Sequence, residues 1–239
     1  MSEVLTEAIV LHRTDYRDAD RMITLFSPEY GRIDVCARGV RKPASRMKAA
    51  CEPFATGIFQ LHTAGERSTL TGFTLSEGFF PLRNDYDRLT FASYALALCG
   101  SVVQPNKRYA ELFALLQCAL GRFAYTQVDG KNMLLRFLLA FAECEGFAMS
   151  LRECVRCGNP VEGSVRFSYD EGGVCHYACL PYGARLTDAT LALLRRAQTG
   201  LDICDEDVAM DSSDALEITR RFIETHLGCK VRASDMILK

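Results

Sequence analysis

Residues 152–182 hold two short pairs of soft ligands, Cys154-Val155-Arg156-Cys157-Gly158 and Cys175-His176-Tyr177-Ala178-Cys179. Two cysteines separated by two residues let one tight turn aim both sulfurs at one ion, and the glycine after Cys157 helps that turn. A tetrahedral zinc site needs four such ligands, and two knuckles supply them. The gap between Cys157 and Cys175 matches the spacing of a zinc ribbon. In the second knuckle Cys175 and His176 are neighbours, and neighbouring side chains of an extended segment point to opposite sides. Only one of them should therefore join Cys154, Cys157 and Cys179. The two-residue spacing to Cys179 favours His176, with Cys175 as the alternative. A set closed by four protein ligands leaves no position for water, so the expected ion, one zinc per chain, is structural.

The segment sits inside a chain of 239 residues with ordinary globular composition, 49% apolar and 24% charged. The 11 cysteines are an odd number in a mid-sized chain, which fits a reducing compartment better than a secreted disulfide scaffold. Acidic residues at positions 3 and 7 and the lack of a basic-then-apolar start predict no secretory leader. The longest apolar run, Thr90 to Val103, is too short and too polar to span a bilayer.

Hydrophobic periodicity divides the rest. Residues 1–80 read as five short strands around Ile9–Leu11, Arg21–Phe26, Ile33–Ala37, Phe54–Leu61 and Thr69–Leu75, with Ser27-Pro28-Glu29-Tyr30-Gly31 as a turn between the second and third. Five strands suit a small closed barrel of the OB kind. Residues 81–151 change to helical spacing, as in Leu112, Phe113, Leu116 and Leu120, then Leu134, Phe137, Leu138 and Phe141. Helical spacing returns in 187–200 and 213–228, within a C-terminal segment 183–239 expected to pack on the helical domain. The predicted class is α+β and multidomain: an OB barrel, an α-helical domain and an embedded zinc-ribbon-like element at 152–182.

Net charge is −2, so the chain as a whole is no polycation. The distribution is uneven. Between Tyr30 and Ala50 stand six cations, Arg32, Arg38, Arg41, Lys42, Arg46 and Lys48, against the single acid Asp34. Glycine and proline keep this stretch irregular and exposed, and such a loop beside a small barrel can follow a phosphate backbone. Arg13, Arg17 and Arg21 alternate with Asp15, Asp18 and Asp20 and read instead as a salt-bridged surface. Phe54, Phe59, Phe73, Phe79 and Phe80 read mainly as core. No phosphate-binding glycine loop, dinucleotide fingerprint or metalloprotease helix motif occurs, and no histidine is followed by x-Glu, so an enzyme is not expected.

Three strings, Asp18-Ala19-Asp20-Arg21-Met22-Ile23-Thr24-Leu25-Phe26-Ser27, Tyr30-Gly31-Arg32-Ile33 and Ala37-Arg38-Gly39-Val40-Arg41-Lys42-Pro43-Ala44-Ser45-Arg46, follow Glu7-Ala8-Ile9-Val10-Leu11 in unbroken order. With Cys154-x-x-Cys157-Gly158, Gly172-Gly173 and Thr225-His226-Leu227-Gly228, the chain resembles the bacterial DNA repair and recombination mediator family RecO over nearly its full length. The resemblance implies a non-enzymatic protein that binds single- and double-stranded DNA and anneals complementary strands. It also implies work with RecR, often RecF, and the single-strand-binding protein to load RecA, in the cytoplasm at the nucleoid and away from any membrane. Where the family usually shows Cys-x-x-Cys in the second knuckle, His176 takes the first position. The C-terminal helices are a candidate docking surface for partners, with Arg195, Arg196, Arg220 and Arg221 as a cationic rim. The competing reading is a zinc-stabilised protein-interaction adaptor whose barrel does not touch DNA.

Overall fold

The computed structural model describes residues 2–65, 67–199, 212–228 and 230–231. Two compact units divide it, one built from residues 1–85 with 96–124, the other from 86–95 with 125–239. The boundary falls within the first long helix. Most of the acidic stretch from Asp202 to Asp214 lies outside the described residues.

The first unit is a closed barrel of five strands: β1 (Ser2–Tyr16), β2 (Asp20–Ser27), β3 (Gly31–Ala37), β4 (Thr56–Ala64) and β5 (Arg67–Glu77), in the order β1-β2-β3-β5-β4. This is the five-stranded OB arrangement. The long β1 serves two partners. Its first half pairs with β4 from Ser2↔Thr63 to Ile9↔Thr56, and its second half pairs with β2 from Ile9↔Phe26 to Tyr16↔Asp20. A register shift between Val10 and His12 marks where the strand bends from one neighbour to the other. A short parallel pairing, Val35↔Ser68 and Cys36↔Thr69, joins β3 to β5.

Alternation sends Ala8 and Val10, Ile23 and Leu25, and Phe59 and Leu61 into the barrel, where each is at most 1% exposed. The barrel core continues into Val40, Ala50, Cys51 and Ala55, which lie between β3 and β4 and belong to the same buried cluster. Burial there pushes the Cys51 thiol up to about 11, so it packs as a neutral apolar group. Behind the barrel, Phe26 meets the edges of Tyr109 and Phe113 at centroid distances of 6.1 and 5.4 Å. Phe113 belongs to α2 (Ala110–Tyr125). The turn that expectation placed at Ser27–Gly31 closes with Gly31 at φ +66°, where a Cβ would lie 2.2 Å from the Gln104 carbonyl oxygen. Only glycine fits that approach.

The helices are α1 (Tyr86–Val102), α2, α3 (Gly130–Cys144), α4 (Asp188–Thr199) and α5 (Ser213–Leu227). In the second unit α3, α4 and α5 pack on one another. They bury Leu134, Leu138, Phe141, Leu194, Leu216, Phe222 and Ile223 completely or nearly so. Asp129 caps α3 by accepting the Asn132 amide at 3.0 Å. A three-stranded sheet of order β7-β6-β8 completes the unit, from β6 (Val165–Ser168), β7 (Gly173–Cys175) and β8 (Ala184–Leu186).

Within α5, Arg220 forks between Glu217 at 3.0 Å and Glu224 at 2.8 Å, and the Arg220 and Glu224 side chains are only 12% and 10% exposed. Arg220→Ala leaves the Glu224 carboxylate buried without its cation. The expected cost is about 3–5 kcal/mol in urea unfolding. The double variant Arg220→Met, Glu224→Leu should recover most of that loss. An unchanged midpoint in the single variant would show that the pair contributes nothing.

Candidate metal centre and nucleic-acid interface

The first knuckle is a tight turn. The Gly158 amide donates to the Cys154 carbonyl at 2.8 Å, with Gly158 at φ +72°, and the Cys154 amide donates to the Asn159 carbonyl at 2.8 Å. In the second knuckle the amides of Cys179 and Leu180 both donate to the His176 carbonyl at 3.0 Å. The two halves lie against each other through Ser150, whose amide donates to Gly172 while its carbonyl accepts from Val174, each at 2.9 Å. Gly173 makes this approach possible, because a Cβ there would sit 2.4 Å from Val155 and 2.7 Å from the Ser150 carbonyl oxygen.

One ligand atom from each of Cys154, Cys157, His176 and Cys179 falls within 4.8 Å of all the others, so the group could hold a metal ion. His176 turns Nδ1 toward the sulfurs, 3.4 Å from Cys157 Sγ and 4.0 Å from Cys179 Sγ. Its other nitrogen, Nε2, lies 3.1 Å from the Pro160 carbonyl oxygen. A carbonyl only accepts, so it holds the proton on Nε2 and leaves the Nδ1 lone pair facing the sulfurs. Cys175 is fully buried and outside the group. Its sulfur is 3.9 Å from a Glu171 carboxylate oxygen, and burial pushes its thiol up to about 11. Cys154 behaves oppositely. Burial works against its thiolate, but backbone hydrogen bonds from Cys157, His176 and Arg156 outweigh it and bring the group down to about 5.

The basic stretch between β3 and β4 is irregular but pinned. Val40 is 1% exposed in the barrel core, and Met47 packs against that core. The Gly39 amide donates to Asp20 Oδ1 at 2.8 Å, and the Arg41 amide donates to the Ala19 carbonyl at 2.9 Å. Arg38, Arg41, Lys42, Arg46 and Lys48 all remain exposed. Arg41 reaches Asp15 at 3.4 Å and the Arg17 carbonyl at 3.0 Å, Lys48 reaches the Pro43 carbonyl at 3.0 Å, and Arg32 pairs with Asp34 at 3.2 Å. The Arg38, Lys42 and Arg46 side chains have no hydrogen-bond or ion-pair partner among the described residues, although the Lys42 backbone donates to the Gly39 carbonyl at 3.1 Å. Of the neighbouring alternating charges, Arg21 pairs with Asp15 at 2.9 Å, Arg21 at 3.3 Å and Arg13 also pair with Glu52 outside the set, and Arg17, Asp18 and Asp20 form no ion pair among the described residues.

Residues 1–79 match the model for the recombination protein O N-terminal domain, and residues 83–235 match the model for its C-terminal domain. The chain belongs to the recombination protein O family. Among its relatives, DNA repair protein RecO of Anaeromyxobacter dehalogenans is 34% identical across 98% of this chain and 95% of its own. The Myxococcus xanthus protein of the same name is 30% identical across 97% and 95%. Membership places the chain in recombination repair of DNA, and among the described residues no helix is long and apolar enough to cross a membrane.

The arginines proposed as a rim in this family member have separate surroundings. Arg195 donates to the Leu151 carbonyl at 2.8 Å and the Val161 carbonyl at 2.9 Å, which ties α4 to the knuckle segment. Arg220 is committed to Glu217 and Glu224. Arg221 is exposed and lies over the Tyr169 ring, 4.6 Å from its centroid, and Arg196 is exposed on α4. Sequence reasoning missed the supporting groups. Pro160 orients His176 through a backbone carbonyl, which leaves no trace in residue type. Arg156 donates to the Cys179 carbonyl at 2.7 Å and pairs with Glu171 at 3.0 Å. A cation between two cysteines of a knuckle was visible, but its acceptor was not.

Proposed function

We propose that this recombination protein O homologue binds single- and double-stranded DNA along the segment Arg38–Lys48 and anneals complementary strands by charge screening. It acts with RecR, often RecF, and the single-strand-binding protein to load RecA, in the cytoplasm at the nucleoid. The observation that carries the reading is the trio Arg38, Lys42 and Arg46, exposed and unpartnered on a segment anchored in the barrel core. Proteins neutralise solvated surface charge cheaply with nearby acids, as Arg21, Asp15 and Glu52 do here. Cations held in place but left unpaired are available to phosphates.

Two single strands repel through their phosphates, and a fixed positive surface lowers that repulsion without bond chemistry. The reading therefore assigns no catalytic turnover. The metal implied by three sulfurs and one imidazole is zinc, which suits that donor set. Bound by Cys154, Cys157, His176 and Cys179, it would balance thiolate charge and join the two knuckles.

Annealing of complementary strands coated with single-strand-binding protein, followed with and without RecR, tests the reading. The expected result is acceleration by the purified protein in the absence of ATP. A strict ATP requirement of the protein alone would overturn it. A salt titration separates the adaptor alternative, since only phosphate binding releases counterions.

A further inference from the structure

The β1–β2 hairpin ends in Arg17, Asp18 and Ala19, with Tyr16 and Asp20 paired directly across it. Cross-strand partners carry their side chains on one face. Tyr16 therefore shares a face with Asp20, whose carboxylate holds the Gly39 amide at 2.8 Å. Two further bonds tie the hairpin end to the basic segment, from the Arg41 amide to the Ala19 carbonyl at 2.9 Å and from Arg41 Nη1 to the Arg17 carbonyl at 3.0 Å. Arg21 and Arg41 both pair with Asp15 and neutralise it. Hairpin end and cationic segment form one surface.

Tyr16 is 42% exposed on that surface. The Arg17 guanidinium lies 5.0 Å from its ring centroid, and Arg17 itself adopts φ +55°, a backbone region that non-glycine residues seldom occupy. No other ring or cation packs on Tyr16 among the described residues. An exposed aromatic ring at the end of a hairpin tied to a cationic segment is what a base needs when its phosphate is already bound.

We propose that Tyr16 stacks on an unpaired base of single-stranded DNA whose phosphates lie on the Arg38–Lys48 segment. The inference rests on the DNA-binding reading above and adds a discriminating element to it. Inside a duplex both faces of each base are covered by its neighbours, so away from the duplex ends the stack is available only to a single strand. The phosphate contacts serve both forms, and the ring favours one.

The chain contains no tryptophan, so Tyr16→Trp installs a single fluorescent reporter. Oligothymidylate should quench the indole emission. An abasic strand of equal length and a blunt duplex should bind, as followed by anisotropy of a labelled probe, without quenching. Tyr16→Ala should weaken oligothymidylate binding by about tenfold or more while leaving duplex and abasic binding unchanged, and Tyr16→Phe should behave as the parent. Normal binding of oligothymidylate with no quenching, or an equal loss for all three probes in Tyr16→Ala, would overturn the stacking inference alone. Failure of the parent protein to bind any probe at low salt would overturn this inference together with the reading beneath it.

Discussion

Replacing Arg38, Lys42 and Arg46 together with alanine is expected to weaken DNA binding by roughly 10²–10³ at 0.1 M salt, for every sequence alike. Each lost phosphate contact flattens the dependence of log K on log salt by about 0.9 for duplex and about 0.7 for single strands. Three contacts therefore remove about two to three units of slope. Over the decade of salt between 0.1 and 1 M, that slope amounts to two to three decades of affinity. The variant should fold normally, because the three side chains are exposed and bond to no other described residue. Arg41 is left in place deliberately, since it ties the β1–β2 hairpin to the segment. A folded triple variant with unchanged affinity and slope would sink the interface.

The metal centre offers an equally sharp contrast. His176→Ala is expected to lose the ion, whereas Cys175→Ala keeps it. Removing a group that merely orients a ligand lowers metal affinity by about 10–100-fold, so removing the ligand itself should exceed that. The measurement is metal content per chain after dialysis against a weak chelator. The parent should retain about one zinc, as a four-ligand site does. His176→Ala should fall close to zero. Loss of metal from Cys175→Ala with retention in His176→Ala would reverse the assignment, and a metal-free, well-folded parent would refute the site. Because binding of a structural zinc is coupled to folding, His176→Ala should also expose residues 152–182 to proteolysis.

Parts of the fold were legible for identifiable reasons. β2 and β3 show alternation on both sides of a Pro-Glu-Tyr-Gly turn, and both form where expected. The first half of β1 was missed, because Ser2, Glu3, Leu5 and Glu7 face solvent and offer no apolar run. That half is held by its backbone pairing to β4, which no side-chain pattern announces. At the knuckles, spacing nominated the cysteines and favoured His176 over Cys175 as the fourth ligand. In the structure the His176 ring lies with the three sulfurs and Cys175 lies outside the group, and the Pro160 carbonyl that orients the ring has no trace in residue type. Arg220 read as a rim cation, yet the acids three residues before and four residues after it on one helix were already visible partners.

The double pairing of β1 also bears on how the barrel assembles. The hairpins β1–β2, β2–β3 and β4–β5 join neighbours in sequence, and each can form early. The seam between Ser2–Ile9 and Thr56–Thr63 joins segments separated by most of the barrel, so it closes only after the entropy of that large loop has been overcome. Until then β4 presents an open edge of amides and carbonyls, the kind of template that captures strands from other chains. Trimming residues 2–8, or burdening them with a bulky fusion, would prolong that interval without touching one cation or cysteine. Yield and aggregation during expression would then report on the seam, while the purified fraction still bound its ligands.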